Sequence, residues 1–169
     1  MTAISRLNGV DAEALRAYRA EVERDSSRAE RNPTVIARWA GAEASTVTSL
    51  ADGATVSIGG PGQLNPMRMV LAALAACGVD LIVNRAALLG VAIEHLEVEA
   101  SGHFNVRRYL GLDAPHGPGY DTVACTIRLR TRAATPAQLD ELRRACEGAS
   151  PVGDTLRRNV DLSITFDAE

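Results

Sequence analysis

One stretch of the chain decides the fold: residues 65–90 read NPMRMVLAALAACGVDLIVNRAALLG. Asn65 and Pro66 are typical of a helix N-cap and of the first helical position, and Gly90 is typical of a helix end. Residues 70–76 are apolar at every position, so no face of this helix is suited to water. We therefore predict a long central helix that is buried on all sides. One domain of this size rarely surrounds a helix completely unless a partner subunit helps.

The segments on either side of this helix predict a mixture of strands and further helices. Strands are indicated by apolar and polar residues that alternate, and helices by capping residues followed by apolar stripes. The predicted strands are residues 34–39, 46–50, 55–58, 95–104, 122–130 and 160–166, and the other predicted helices are residues 11–24, 135–148 and 152–158. Residues 105–119 form a long connection rich in Gly and Pro. This mixed order argues for an α+β fold.

The composition excludes several classes of function. The 169 residues carry a net charge of -3, which argues against a large basic face and hence against nucleic acid as a partner. All 18 basic residues are arginine, because the sequence contains no lysine. Schiff-base catalysis, P-loop phosphate binding and the kinase strand lysine are therefore excluded. Any side chain that holds a permanent positive charge in a site must be an arginine.

The cysteines and the apolar runs bear on location. Cys77, Cys125 and Cys146 are odd in number and lack the spacing of a disulfide framework or of a CxxC zinc site. Residues 1–6 lack the apolar stretch of a secretory signal, and the longest apolar run, residues 69–79, is too short to span a bilayer. We therefore expect a cytoplasmic protein with reduced thiols that does not bind a membrane.

Metal and cofactor sites are not indicated. One face of the strand over residues 95–104 carries two histidines and two carboxylates, namely His95, Glu97, Glu99 and His103. Alternate residues of a strand lie about 7 Å apart, which is too far for several of them to bind one ion. We expect a solvated face there and no metal. The glycines of residues 59–62 lack the spacing of a dinucleotide fingerprint, so no cofactor is predicted.

Each cysteine has a structural and a chemical interpretation. Cys125 on its strand and Cys146 on its helix fit apolar stripes, which favours a place in the core. Cys77 in the central helix is either a small core residue or a reactive thiol. A reactive thiol must be present as the thiolate, and a cysteine in the middle of a helix gains little from the helix N-terminus. A cation from another element is then required, and only arginine is available.

Two motifs resemble the OsmC/Ohr family. Asn65 and Pro66, followed by LAALAAC ending at Cys77, resemble the first motif of that family, and residues 150–156, SPVGDTL, resemble its second motif, Cys-Pro-Val-x-x-x-Leu. The resemblance covers about residues 33–167. It implies an OsmC-like domain over residues 33–169, with strands wrapped around the long buried helix in an intertwined homodimer. Residues 1–32 are then a helical extension.

The resemblance also implies an activity and a set of site residues. Members of the family are thiol peroxidases that reduce organic hydroperoxides, and the first-motif cysteine, here Cys77, becomes a sulfenic acid. The family's resolving cysteine stands at the position of Ser150, and its glutamate stands at the position of Met67. The family's activating arginine sits in the first hairpin turn, but residues 41–45 contain none, so Arg38 is the candidate for that role.

Two functions follow as alternatives. The first is a Cys77-dependent reductase of hydroperoxides for oxidative-stress defence, in which an external thiol or Cys146 takes the place of the resolving cysteine. The second is a redox-silent dimer with the same fold that binds a small apolar ligand or a thiol compound. Replacement of the family residues at Met67 and Ser150 favours the second function, and retention of Cys77 favours the first.

Overall fold

The computed structural model describes residues 6–41 and 44–168, so the start of the chain and part of the first hairpin turn lie outside it. The helices are α1 (Ala12–Arg24), α2 (Pro66–Leu88), α3 (Pro136–Gly148) and α4 (Pro151–Arg157). The strands are β1 (Val35–Trp39), β2 (Ser45–Ser49), β3 (Thr55–Ile58), β4 (Ile93–Phe104) and β5 (Tyr120–Thr131). A 3-10 turn, Ser26–Ala29, follows α1. The order confirms the predicted α+β fold.

The strands form two separate antiparallel sheets. The first has the order β1-β2-β3, and its second turn is closed by Asp52, whose carboxylate accepts a hydrogen bond of 3.0 Å from the Ala54 amide. Gly53 in that turn has φ of 72°, a backbone conformation that glycine adopts without strain. The second sheet is a long ribbon of β4 and β5, in which Val98 pairs with Ile127. Two strands alone do not make a stable sheet, so the ribbon depends on α2.

The ribbon and the later helices pack against helix α2. Its N-cap, Asn65, accepts a hydrogen bond of 2.8 Å from the Arg68 amide, and Pro66 fills the first turn as predicted. A β-carbon at Gly78 would lie 3.2 Å from Cγ1 of Val98 on β4, which is tighter than ordinary packing. Gly78 therefore allows the close approach of α2 to β4.

The single chain buries α2 along one stripe, so its burial on all sides stays a prediction that depends on a partner subunit. Only five of its 23 residues are buried, and they lie on one stripe: Leu74, Gly78, Ile82, Ala86 and Ala87. The ribbon, α3 and α4 pack against α2, and within the described residues several apolar positions away from this stripe stay exposed, among them Ala73, Ala76 and Val79. The central cluster of the core is correspondingly small and contains Ala86, Val91 and Leu142.

By length and composition α2 could also cross a membrane. The eleven-residue run considered in the sequence underestimates it, because the helix continues to Leu88. The core helix of a soluble protein has the same properties, and here one side of α2 packs lengthwise on β4. The absence of a membrane partner stays a prediction.

The predicted final strand over residues 160–166 is absent from the described chain. These residues form no strand, and the apolar side chains of Leu162, Ile164 and Phe166 are 82%, 83% and 89% exposed. The alternating pattern is present, but a strand needs a neighbouring edge for its backbone hydrogen bonds. Among residues 6–41 and 44–168, no strand edge pairs with this segment.

The segment before β1 is attached to the α2–β4 turn. The side-chain amide of Asn8 donates a hydrogen bond of 2.9 Å to the Val91 carbonyl and accepts one of 2.9 Å from the Ile93 amide. Arg16 of α1 donates a hydrogen bond of 3.3 Å to the carbonyl of Leu88 at the end of α2. The placement of a domain boundary after residue 32 stays a prediction, since this segment bonds to the rest of the chain.

Candidate functional site

Cys77 lies near the middle of α2, on a half-buried position. Its sulfur forms a hydrogen-bonding contact of 3.3 Å with the hydroxyl oxygen of Ser150. These two residues are 73 positions apart in the sequence, and the packing of α4 against α2 brings them together. The pair combines the first and the second sequence motif in one place.

Ser150 is held in a fixed position because it is the N-cap of α4. Its hydroxyl oxygen accepts a hydrogen bond of 3.0 Å from the Gly153 amide, and the residue is 7% exposed. A β-carbon at Gly153 would lie 3.1 Å from both Cβ and Oγ of Ser150, so glycine leaves room for the contact. The Gly153 amide uses only one lone pair of the hydroxyl, so the hydroxyl can still donate its proton to the Cys77 sulfur or accept a hydrogen bond from the thiol.

The other residues matched to the family site lie elsewhere. Arg38 is exposed on β1 opposite Thr46, and in the described chain it makes no hydrogen bond to Cys77. Its role as the activating residue stays a prediction, and residues 42 and 43 of the neighbouring turn lie outside the described residues. Met67 lies in the first turn of α2, where its carbonyl accepts a hydrogen bond of 2.7 Å from the hydroxyl of Tyr120. This bond ties the start of α2 to β5.

Two cavities lie beside α4; Ser150 lines the first, and Cys77 is not among the residues that line either. The first has a volume of about 380 Å³ and lies between α2, β5 and α3, with Ser150 in its wall. The second has a volume of about 500 Å³ and lies between the start of α2, the start of β5 and α4. Both are lined by Leu74, Cys125, Gly153 and Arg157. Because seven of the fifteen residues that line the first cavity are leucine or isoleucine, it suits a largely apolar ligand.

Cys125 and Cys146 both line the first cavity. Burial raises the pKa of the Cys125 thiol above its ordinary value. Burial, followed by the nearby Cys125, raises the pKa of the Cys146 thiol. Cys125 faces the cavity beside α2, as its predicted inward direction requires, but in the described chain it is exposed and not part of a core. Both thiols stay protonated at neutral pH and are poor nucleophiles in that form.

Arg157 is a feature of the site that the sequence did not reveal. It lines both cavities, and its guanidinium donates a hydrogen bond of 2.7 Å to the backbone carbonyl of Glu147. The sequence signal that could have identified Arg157 is its position, five residues beyond the Pro-Val of the second motif. It supplies a permanent positive charge beside the cavities, which Arg38 does not do within the described chain.

The acidic and histidine-bearing face of β4 is solvated and ion-paired. Arg128 on β5 lies 2.6 Å from a Glu97 oxygen and 2.9 Å from a Glu99 oxygen, and all three side chains are about half exposed. His103 lies 3.2 Å from Asp121. Within residues 6–41 and 44–168, no three His, Cys, Asp or Glu residues are grouped to hold a metal ion. These side chains therefore form part of the solvated outer surface of the ribbon.

The fold and the site define a class of protein: an α+β chain whose central helix presents a cysteine to the capped start of a short second helix. The model of the OsmC-like protein family matches residues 59–165. The chain therefore belongs to the OsmC-like protein family, which confirms the resemblance carried by the two motifs. A search of curated proteins finds no match.

Solved structures agree with this family. An OsmC-like protein from Mycoplasma pneumoniae is 15% identical with a TM-score of 0.63, covering 76% of this chain and 89% of that chain. An OsmC-like protein of unknown function from Vibrio cholerae is 12% identical with a TM-score of 0.60, covering 75% and 94%. An organic hydroperoxide resistance protein from Legionella pneumophila is 17% identical with a TM-score of 0.52, covering 78% and 95%. At these identities the likeness establishes the fold.

Proposed function

We propose that this OsmC-like protein reduces organic hydroperoxides at Cys77 as part of a defence against oxidative stress. The observation that carries the proposal is the 3.3 Å contact between the Cys77 sulfur and the Ser150 hydroxyl. It places a hydroxyl group against a half-buried thiol, and the same serine lines a cavity that suits an apolar substrate. The family, and the hydroperoxide resistance named for the Legionella neighbour, support the same chemistry.

The chemical step requires the thiolate of Cys77. Its sulfur attacks the terminal oxygen of the hydroperoxide, the oxygen–oxygen bond breaks, and the alkoxide leaves and takes up a proton to become an alcohol. Cys77 is then a sulfenic acid. The Ser150 hydroxyl can donate its proton to charge on the sulfur or on the sulfenate oxygen, because the Gly153 amide leaves that proton unused.

The test is the consumption of cumene hydroperoxide by the purified protein in the presence of dithiothreitol. We expect Cys77→Ser to reduce the rate to the uncatalysed background, because no other cysteine contacts Ser150 in the described chain. The matched controls are Cys125→Ser and Cys146→Ser, which should keep most of the activity. A Cys77→Ser variant as active as the wild type would refute the proposal.

The second candidate is a redox-silent protein that binds a small apolar molecule or a thiol compound. It is favoured by the apolar cavity of about 380 Å³ and by the replacement of two family residues at Met67 and Ser150. A wild-type rate equal to that of Cys77→Ser would support this candidate. Measurable turnover that depends on Cys77 would remove it.

We propose that the protein is a homodimer. The single chain exposes 12721 Å², whereas a compact monomer of 17.9 kDa exposes about 8000 Å². The excess includes the open side of α2 and the apolar side chains of the segment 160–166. A second copy whose sheets cover these surfaces would bury α2 from both sides. The predicted cytoplasmic location is consistent with three free cysteines.

A further inference from the structure

We propose that the cavity between α2, β5 and α3 binds an amphiphilic monocarboxylate, with the apolar chain inside the cavity and the carboxylate on the guanidinium of Arg157. The inference goes beyond the proposed chemistry, because such binding involves no redox step at Cys77. It names a ligand class, an aliphatic chain of moderate length that ends in one carboxylate, and the residue that selects it.

The walls of the cavity fit an aliphatic chain. All three elements contribute leucine or isoleucine, for example Leu81 of α2, Ile127 of β5 and Leu139 of α3. The volume of about 380 Å³ lies within the range of about 300–1000 Å³ that is usual for small-molecule sites. Each methylene group that leaves water for these walls lowers the free energy of the complex.

Arg157 stands where this cavity meets the second one, since it lines both. Its Nη1 donates a hydrogen bond of 2.7 Å to the carbonyl of Glu147 in the last turn of α3. This bond holds the guanidinium in place and uses one of its five N–H donors. Among the residues that the structure describes, the Arg157 side chain makes no other hydrogen bond and no ion pair, so its remaining donors are available to a ligand.

The other charged side chains around the two cavities already have partners. Arg143 of the first cavity lies 2.6 Å from an oxygen of Glu147, which lines the same cavity. Asp121 of the second cavity lies 3.2 Å from a ring nitrogen of His103. Within residues 6–41 and 44–168, Arg157 is therefore the cavity-lining cation without a carboxylate partner. A carboxylate matches the planar fork of a guanidinium, whereas a neutral polar group gains no ionic attraction there.

The experiment compares two probes of nearly the same shape by isothermal titration calorimetry. Octanoate and octanamide are titrated into the reduced wild-type protein, with no hydroperoxide present. We expect octanoate to bind about fivefold more tightly, as a partly exposed ion pair allows, and the preference to shrink in high salt. Hexanoate should bind about tenfold more weakly than octanoate, because it buries two methylene groups fewer.

Arg157→Gln should bind octanoate and octanamide equally. The matched control is Arg144→Gln, which removes the same charge from an exposed position of α3 outside both cavities and should keep the preference. Arg157→Lys keeps the charge but not the planar fork and should keep part of the preference. Circular dichroism establishes that the Arg157 variants are folded, because the bond to Glu147 also joins α4 to α3.

Two further variants test which cavity holds the chain. Cys146 lines only the first cavity and Thr122 only the second. Cys146→Met enlarges a side chain in the wall of the first cavity and should weaken octanoate binding. Thr122→Met makes a comparable change in the second cavity and should leave octanoate binding unchanged.

Equal affinity of the wild type for octanoate and octanamide would overturn the proposal, and this comparison decides it even if Arg157→Gln does not fold. An equal loss of the preference in Arg144→Gln and Arg157→Gln would also overturn it, because the effect would then be that of net charge. Failure of hydroperoxide turnover would refute the proposed function and leave this binding site in place.

Discussion

At the scale of the residue, Ser150 performs two tasks with one hydroxyl group. As an acceptor it caps α4 through the Gly153 amide, and its proton is available to Cys77. The serine is 7% exposed, so a lost hydrogen bond at this position is not replaced freely by water. The cap and the site are therefore coupled: a change that weakens α4 also moves the partner of Cys77.

We expect Ser150→Ala to lower the free energy of unfolding by about 1 kcal/mol, because removal of a serine N-cap typically costs that amount. Urea denaturation followed by circular dichroism measures it. The matched control is Ser101→Ala, which removes an exposed hydroxyl on β4. Equal stability of the two variants would show that the buried cap contributes nothing.

The sequence predicted the members of this site better than their arrangement. Cys77 was already a candidate as a thiol, but only the family motifs linked it to Ser150, because no periodicity relates two residues 73 positions apart. Arg157 was overlooked, since one arginine among 18 carries no mark of its spatial position. Charge and spacing alone therefore do not identify which arginines line the cavities.

At the scale of the element, the N-terminal segment holds the α2–β4 turn through the hydrogen bonds of Asn8. Asn8 has φ of 56°, and its amide satisfies both a carbonyl and an amide of the backbone around β4. Asparagine tolerates this left-handed conformation better than most residues. The extension thus stabilises the end of α2 that lies farthest from its N-cap.

Asn8→Gly should lower the free energy of unfolding by about 2 kcal/mol, because it removes two hydrogen bonds worth about 1 kcal/mol each and keeps the backbone conformation accessible. Asn32→Gly makes the same change of residue type at an exposed position and is the control. Thermal or urea denaturation measures both variants. If Asn8→Gly lowers the free energy of unfolding no more than Asn32→Gly does, the Asn8 hydrogen bonds do not stabilise the α2–β4 turn.

Elements with local signals were predicted well. Helix α3 begins at a capping box in which Thr135 and Gln138 bond to each other's backbone, and α2 begins at Asn65 and Pro66 as expected. Both signals lie within four residues of the helix start, so the sequence contains them in full. The segment 160–166 has an equally clear strand pattern, but its partner is not part of the local sequence, and in the single chain the strand does not form.

At the scale of the whole molecule, the fold of the single chain is incomplete. The sheet of β1, β2 and β3 carries exposed Val35 and Trp39, 62% and 80% exposed, and α2 has one open side. The single chain exposes about 1.6 times the surface of a compact monomer, and the apolar part of this excess raises its free energy in water. The same surfaces explain why the sequence predicted a helix buried all round: its composition fits the proposed homodimer.

We therefore expect the wild-type protein to sediment at twice 17.9 kDa in analytical ultracentrifugation at micromolar concentration. Ala76→Glu introduces a charge on the open side of α2 and should shift the protein toward monomer or aggregate, because an unpaired carboxylate resists burial. Ala17→Glu makes the same change on the exposed side of α1 and should remain dimeric. A wild-type protein that sediments as a folded monomer would refute the homodimer, since the open side of α2 would then be stable in water.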